Sequence, residues 1–236
     1  MGWMTRTVED AALLLQAMAG PDENDPVTAD YLVPDYAGAL ANPAAPRIGV
    51  IRQFFYEHAD EETRQHTDKI VERLAESGAE VEELPLPSSM ESAIQDQQII
   101  MAVEGSSFHE PMYRRQAQDY QPGIRGMIKR GLDTDAVTYS RAMERRRLFI
   151  SDTHKLAQRV DILLTPSMPT PSLPDLTNTG NTMFQGPWTS CGLPAITVPF
   201  RVGCLGAAIG HSASGVLLWG SRVAVGCQVV RRSIRG

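Results

Sequence analysis

The chain has 236 residues, is 42% hydrophobic and carries a formal net charge of −6. That is enough apolar material for one α/β domain or a large part of one, and the acidic balance argues against a nucleic-acid partner. No apolar run approaches the roughly 18 residues of a membrane helix, and the N-terminus lacks the charged-then-apolar order of a leader, so a cytoplasmic protein off the membrane is expected.

In chain order, Thr7-Val8-Glu9-Asp10 predicts a helix start, with Thr7 as N-cap and acids in the first turn. Val8, Ala11, Leu14, Leu15 and Met18 recur at helical spacing, and Gly20-Pro21 ends the helix. Residues 21–46, rich in Pro, Asp, Asn and Ala, predict a long surface connection. Arg47–Ile51 predicts a strand, Asp60–Ser77 a helix stopped by Gly78, and Ala79–Leu86 a second, alternating strand. Strand, helix and strand of these lengths predict a βαβ unit over 47–86 in a parallel sheet.

Residues 89–160 are helical in composition, with breaks expected near Gln121-Pro122-Gly123, Gly131 and Pro111. Arg141–Arg147 predicts a solvated helix face that pairs with nearby acids rather than a polyanion patch. Val160–Thr165 predicts a short buried strand, followed by Pro166, Pro169, Pro171 and Pro174. In TSCGLPAITVPF (Thr189–Phe200), Gly192 frees the backbone and Pro194 fixes φ, and Ala195–Val198 predicts a strand covered on both faces. The last acid is Asp175, which leaves the final third weakly basic through Arg201, Arg222, Arg231, Arg232 and Arg235.

The residues offer no complete catalytic constellation. Gly105-Ser106-Ser107 has helical flanks and no G-x-S-x-G pattern, so it is not a nucleophile elbow. Ser151 and Lys155 share a helix face, but Asp152, His154 and Arg159 surround them, and a Ser-Lys dyad needs a desolvated amine. Cys191, Cys204 and Cys227 form no CxxC, and the five histidines show no metal-ligand spacing. A nucleophilic Cys191 would need a base, and the nearest histidine on its N-terminal side is 37 residues away at His154.

Several collinear segments over residues 4–199 together resemble the amidase signature family of serine hydrolases. They are MTRTVEDAALLLQAMAG, RIGVIRQFF with SGAEVEELPLP, VDILLTPSMPTP, and FQGPWTSCGLPAITVP. The resemblance implies an α/β fold: a mixed-sheet core flanked by helices, present here only as the C-terminal portion. Residues 1–200 would be that portion, with core strands over 160–200. The implied activity is hydrolysis of carboxamide C–N bonds through an acyl-enzyme, without metal or organic cofactor. Trp188, Thr189, Ser190, Cys191, Gly192 and Leu193 would line the substrate cleft, with Cys191 as a small apolar filler.

The family's reactive groups are a serine nucleophile, a serine on a cis peptide and a lysine base. No position here matches any of them, so no catalytic residue is carried over and the chain alone is expected to be inactive. Expected partners are a small amide and either a second copy or the missing N-terminal half. The alternatives are a non-enzymatic scaffold and a relative of the glutamyl-tRNA amidotransferase A subunit. Residues 201–236 depart from the family's closing strand and read as a divergent tail. If that tail is frameshifted, the adjacent frame of the gene should restore the strand.

Overall fold

The computed structural model describes residues 2–25, 28, 30, 32–41, 45–170 and 180–198, with the backbone alone of 199 and 215–219. Helix α1 (Val8–Met18) starts where the Thr7 hydroxyl accepts the Asp10 N–H at 3.0 Å, and the chain leaves it through Gly20 at φ +135°. Its apolar face is only partly used. Val8 and Ala12 are buried, while Leu14 and Met18 are 39% and 48% exposed.

The expected βαβ unit is present. Strand β1 (Arg47–Val50) leads through a short helix α2 (Phe55–His58) into α3 (Glu61–Glu76), capped by the Asp60 carboxylate on the Thr63 N–H at 2.8 Å. Gly78, at φ +95°, turns the chain into β2 (Glu80–Glu83), parallel to β1 with Arg47 beside Glu80 and Val50 beside Glu83. β2 is shorter than the predicted Ala79–Leu86 and its side chains are mostly exposed. The reason is position: β1 is its only neighbour in the described sheet, and Glu80, Glu82 and Glu83 place charge along that edge.

Strand β3 (Ile162–Pro166) is buried along its whole length and runs parallel to β1 on its other side. Asp161 ties the two strand starts together. Its carboxylate accepts the Arg47 N–H at 2.9 Å and pairs with the Arg47 guanidinium at 3.3 Å. Strands β4 (Ala195–Pro199) and β5 (Gly215–Trp219) complete the order β2-β1-β3-β5-β4, with β5 antiparallel to both β3 and β4. The sheet is therefore mixed. β4 is an edge among the described residues, and it is not covered on both faces as the sequence predicted: Ala195 and Thr197 are exposed, Ile196 is half-buried and Val198 is buried. Apart from the backbone of Gly215–Trp219, residues 201–236, expected from the sequence to be a divergent tail, lie outside the described residues.

Strand alternation divides the core. Ile48, Val50, Ile162 and Leu164 pack with Val8, Ile70 and Leu74 under α1 and α3. Leu163 packs on the opposite face with Phe55, Leu84, Phe149, Trp188 and Cys191. Two long helices cover that second face, α4 (Ala93–Gln116) and α6 (Ala136–Ala157), and α5 (Pro122–Asp133) packs against α4. α4 runs through Pro111, contrary to the expected break. The proline and Ser107 are both exposed there, so the carbonyl released by the missing N–H can hydrate. The break expected near Gly131 falls just after it, between the end of α5 at Asp133 and the Asp135 cap of α6.

Candidate functional site

The Gly-Leu-Pro stretch is preceded by a short helix rather than a loop. Helix α7 (Gly186–Cys191) begins with Pro187 in its first turn and ends at Gly192, whose φ of +69° supplies the left-handed cap. Gly186 sits close against the end of a flexible side chain on α4. A Cβ there would lie 2.3 Å from Gln97 Oε1 on α4. Inside α7 the Cys191 thiol donates to the Pro187 carbonyl at 3.1 Å.

Two side chains of α6 reach the end of this helix. Arg146 Nε donates to the Ser190 carbonyl at 2.9 Å, and His154 Nε2 to the Cys191 carbonyl at 3.2 Å. These are last-turn carbonyls that the helix itself cannot satisfy, and the helix dipole favours cationic donors there.

The other end of α7 meets the carboxyl ends of β1 and β3, where open α/β sheets place ligands. Gln185 Nε2 donates to the Ser167 carbonyl just beyond β3 at 3.4 Å. An aromatic group fills the angle. Trp188 stacks on Phe55 with centroids 5.6 Å apart and 5° between planes, and Phe184 meets Phe55 edge-on at 5.1 Å. Phe54 lies half-buried beside Phe184 and tilts over His58 at 4.4 Å.

Phe54 has φ 62° and ψ −53°, and the Phe55 N–H donates to the Gln53 carbonyl at 2.6 Å. That is a γ-turn of the rare, strained hand, and Phe54 is the only non-glycine with positive φ among the described residues. The usual order of substitutions should therefore invert. Phe54→Gly and Phe54→Ala both lose the ring, but glycine also relieves the backbone, so the Gly variant should be more stable than the Ala variant by about 1 kcal/mol in urea unfolding.

The nucleophile candidates of the sequence lie in different surroundings. Burial pushes the Cys191 thiol up to about 12, from an ordinary 9.0. His154 does come close, but to the carbonyl of Cys191. Separation along the chain was an incomplete argument about Cys191, since the fold brings a histidine to its backbone carbonyl while the thiol stays buried. Because the folded thiol holds its proton longer than the unfolded one, stability should fall as pH rises from about 9 towards 12, with no effect below 9. Iodoacetamide at pH 8 should leave the Cys191 peptide unmodified until urea unfolds the chain, which peptide mass mapping checks.

Ser106 is buried and shares its proton between the Ala102 and Ile128 carbonyls at 2.5 and 2.8 Å, which ties α4 to α5. Ser107 and Ser151 are exposed. Lys155 is also exposed and pairs with Asp152 at 3.5 Å.

Of the six predicted lining residues, Trp188, Ser190 and Cys191 are buried, Thr189 and Gly192 are exposed, and Leu193 is half-buried. The sequence reading missed Arg146, Gln97, Gln185 and the phenylalanines. A signal for Arg146 was present: four after Ala142 and three before Phe149, it falls on the stripe that α6 buries.

Comparison with known proteins agrees with this architecture. The profile of the family described as Amidase matches residues 1–218, and the chain belongs to that family. It is 33% identical over 212 residues to an amidase of Pseudomonas putida, covering 84% of this chain and 45% of that protein. It is 32% identical over 231 residues to the A subunit of the glutamyl-tRNA(Gln) amidotransferase from Lysinibacillus sphaericus, covering 84% of this chain and 47% of that one.

Among solved structures, the A subunit of the Thermotoga maritima glutamyl-tRNA(Gln) amidotransferase superposes with a TM-score of 0.73 at 26% identity, over 96% of this chain and 50% of that one. A protein from a vestigial complex, solved for the origins of an s-triazine catabolic enzyme, shares the fold with a TM-score of 0.80 at 24% identity, over 95% of this chain and 50% of that one. The chain thus spans about half the length of the curated relatives it matches. Among the described residues, no helix is long and apolar enough to cross a membrane.

Proposed function

We propose that these residues form one wall of the cleft of an amidase-family hydrolase that cleaves the C–N bond of a small carboxamide through an acyl-enzyme. Thr189, Gly192 and Leu193 line that wall, and Trp188, Ser190 and Cys191 hold it from behind. The nucleophile and its base are supplied from outside this chain. The observation that carries this reading is the state of the candidates: Cys191 is a buried neutral thiol, the Ser106 hydroxyl is engaged by two carbonyls, and Lys155 is solvated beside Asp152. Family membership over residues 1–218 supports the chemistry assigned to the cleft.

Ammonia release from acetamide and benzamide by the purified chain, against a heat-denatured control, tests the proposal. No turnover above the control is expected. Turnover would place the reacting groups inside this chain and overturn the assignment. Relatives named as amidotransferase A subunits support a second reading, in which the chain works within a larger assembly. Stoichiometric co-purification with other subunits would favour that one.

A further inference from the structure

Three arginines follow one another on α6, and helical spacing sends each in a different direction. Arg145 grips Asp96, a carboxylate on α4 with only 1% of its side chain exposed, through Nε and Nη2. Arg147 is exposed. Arg146 is half-buried between them, and its Nε donates to the Ser190 carbonyl. Among the described residues it forms no ion pair, so its charge is not spent on balancing a carboxylate.

The bond lies where the backbone changes direction. Ser190 precedes Cys191, whose carbonyl His154 holds, and Gly192 then takes its left-handed turn into Leu193 and β4. α7 has only one turn and a half of its own hydrogen bonds, among them the Thr189 N–H on the Gln185 carbonyl and the Gly192 N–H on the Thr189 carbonyl. A helix that short cannot fix its own orientation. The Arg145–Asp96 pair meanwhile anchors the adjacent residue of α6 to α4, so the Arg146 guanidinium starts from a set register.

We propose that Arg146 is a positioning residue: through the Ser190 carbonyl it sets the orientation of the Thr189–Leu193 wall against which an amide substrate lies. This rests on the cleft reading above and adds to it the residue on which the wall's geometry depends. The guanidinium does not touch the reacting atoms. It acts by holding the backbone that presents Thr189 and Gly192.

Hydrogen exchange of the full chain, read by peptide mass and by amide NMR with and without benzamide, tests this. In Arg146→Ala, exchange at Thr189 and Gly192 should quicken by at least about tenfold, the equilibrium equivalent of losing one charge-assisted hydrogen bond. Protection of Ile48–Val50 and Ile162–Leu164 should stay unchanged. Arg146→Lys, which keeps a cationic donor, should return exchange to within about threefold of the original. Arg147→Ala should change nothing.

Benzamide should slow exchange at Thr189–Leu193 in the unaltered chain and in Arg146→Lys, and fail to do so in Arg146→Ala. If Arg146→Ala does not fold, Arg146→Gln is read in the same way. Unchanged exchange at Thr189 and Gly192, or equal loosening of β1 and β3, overturns the clamp itself. A clamp that behaves as expected while benzamide protects nothing in the unaltered chain shows instead that the cleft reading has failed, and the positioning role falls with it.

Discussion

Trp188→Ala is expected to cost about 3–5 kcal/mol in urea unfolding, the range for deleting a large buried aromatic. Trp188 is 1% exposed and stacks on Phe55, itself fully buried, in the group that joins α7 to the end of β1. Truncation leaves a void that Phe184 cannot close from its edge-on position against the same ring. Thr189, the next residue, is exposed, and Thr189→Ala should change stability by less than about 0.5 kcal/mol. A loss below about 1.5 kcal/mol for Trp188→Ala would mean that α7 is not packed as described.

Gly131→Ala is expected to cost about 3 kcal/mol, the upper end for overpacking. A Cβ on Gly131 would lie 2.0 Å from both the Ala102 carbonyl oxygen and Ser106 Oγ, so α5 must move off α4. Adding Ser106→Ala should not rescue it, because the Ala102 oxygen belongs to the backbone and cannot rotate away. Stability close to the original in the double variant would show that the hydroxyl alone made the contact. Gly49→Ala should be milder. The nearest atom there is the end of the Leu84 side chain, at 2.3 Å, which can rotate.

The parts of the fold legible in the sequence were those with strong local signals. Asp60 before Glu61-Glu62, the spacing of Ile70 and Leu74, and Gly78 placed α3 to within a residue of its observed ends. The apolar runs of β1 and β3 were legible because both strands lie inside the sheet. Edges were not. β2 and β4 carry the composition of strands, but topology decides that each lies at an edge of the described sheet, and that left Ala195 exposed.

Pro111 misled outright, and Gly131 marked a helix break that falls three residues later. Each is a breaker by type, and each is tolerated where its neighbours accept the cost, through hydration at one and close approach of α4 at the other. At the site, the sequence singled out Trp188–Leu193 but not the residues that hold them. The Arg146 and His154 bonds span 44 and 37 residues, and no local pattern encodes a partner that far away. Arg146 could be suspected only from its place on a buried stripe amid a run that otherwise reads as surface.

The wall and the reacting serine are, on this reading, separate parts of the amidase fold. Incubating the folded chain with a serine-directed fluorophosphonate, then mapping any adduct by mass, tests this most directly. No labelled peptide is expected, Ser106 and Ser151 included. A stoichiometric adduct on any hydroxyl of this chain would contradict the separation.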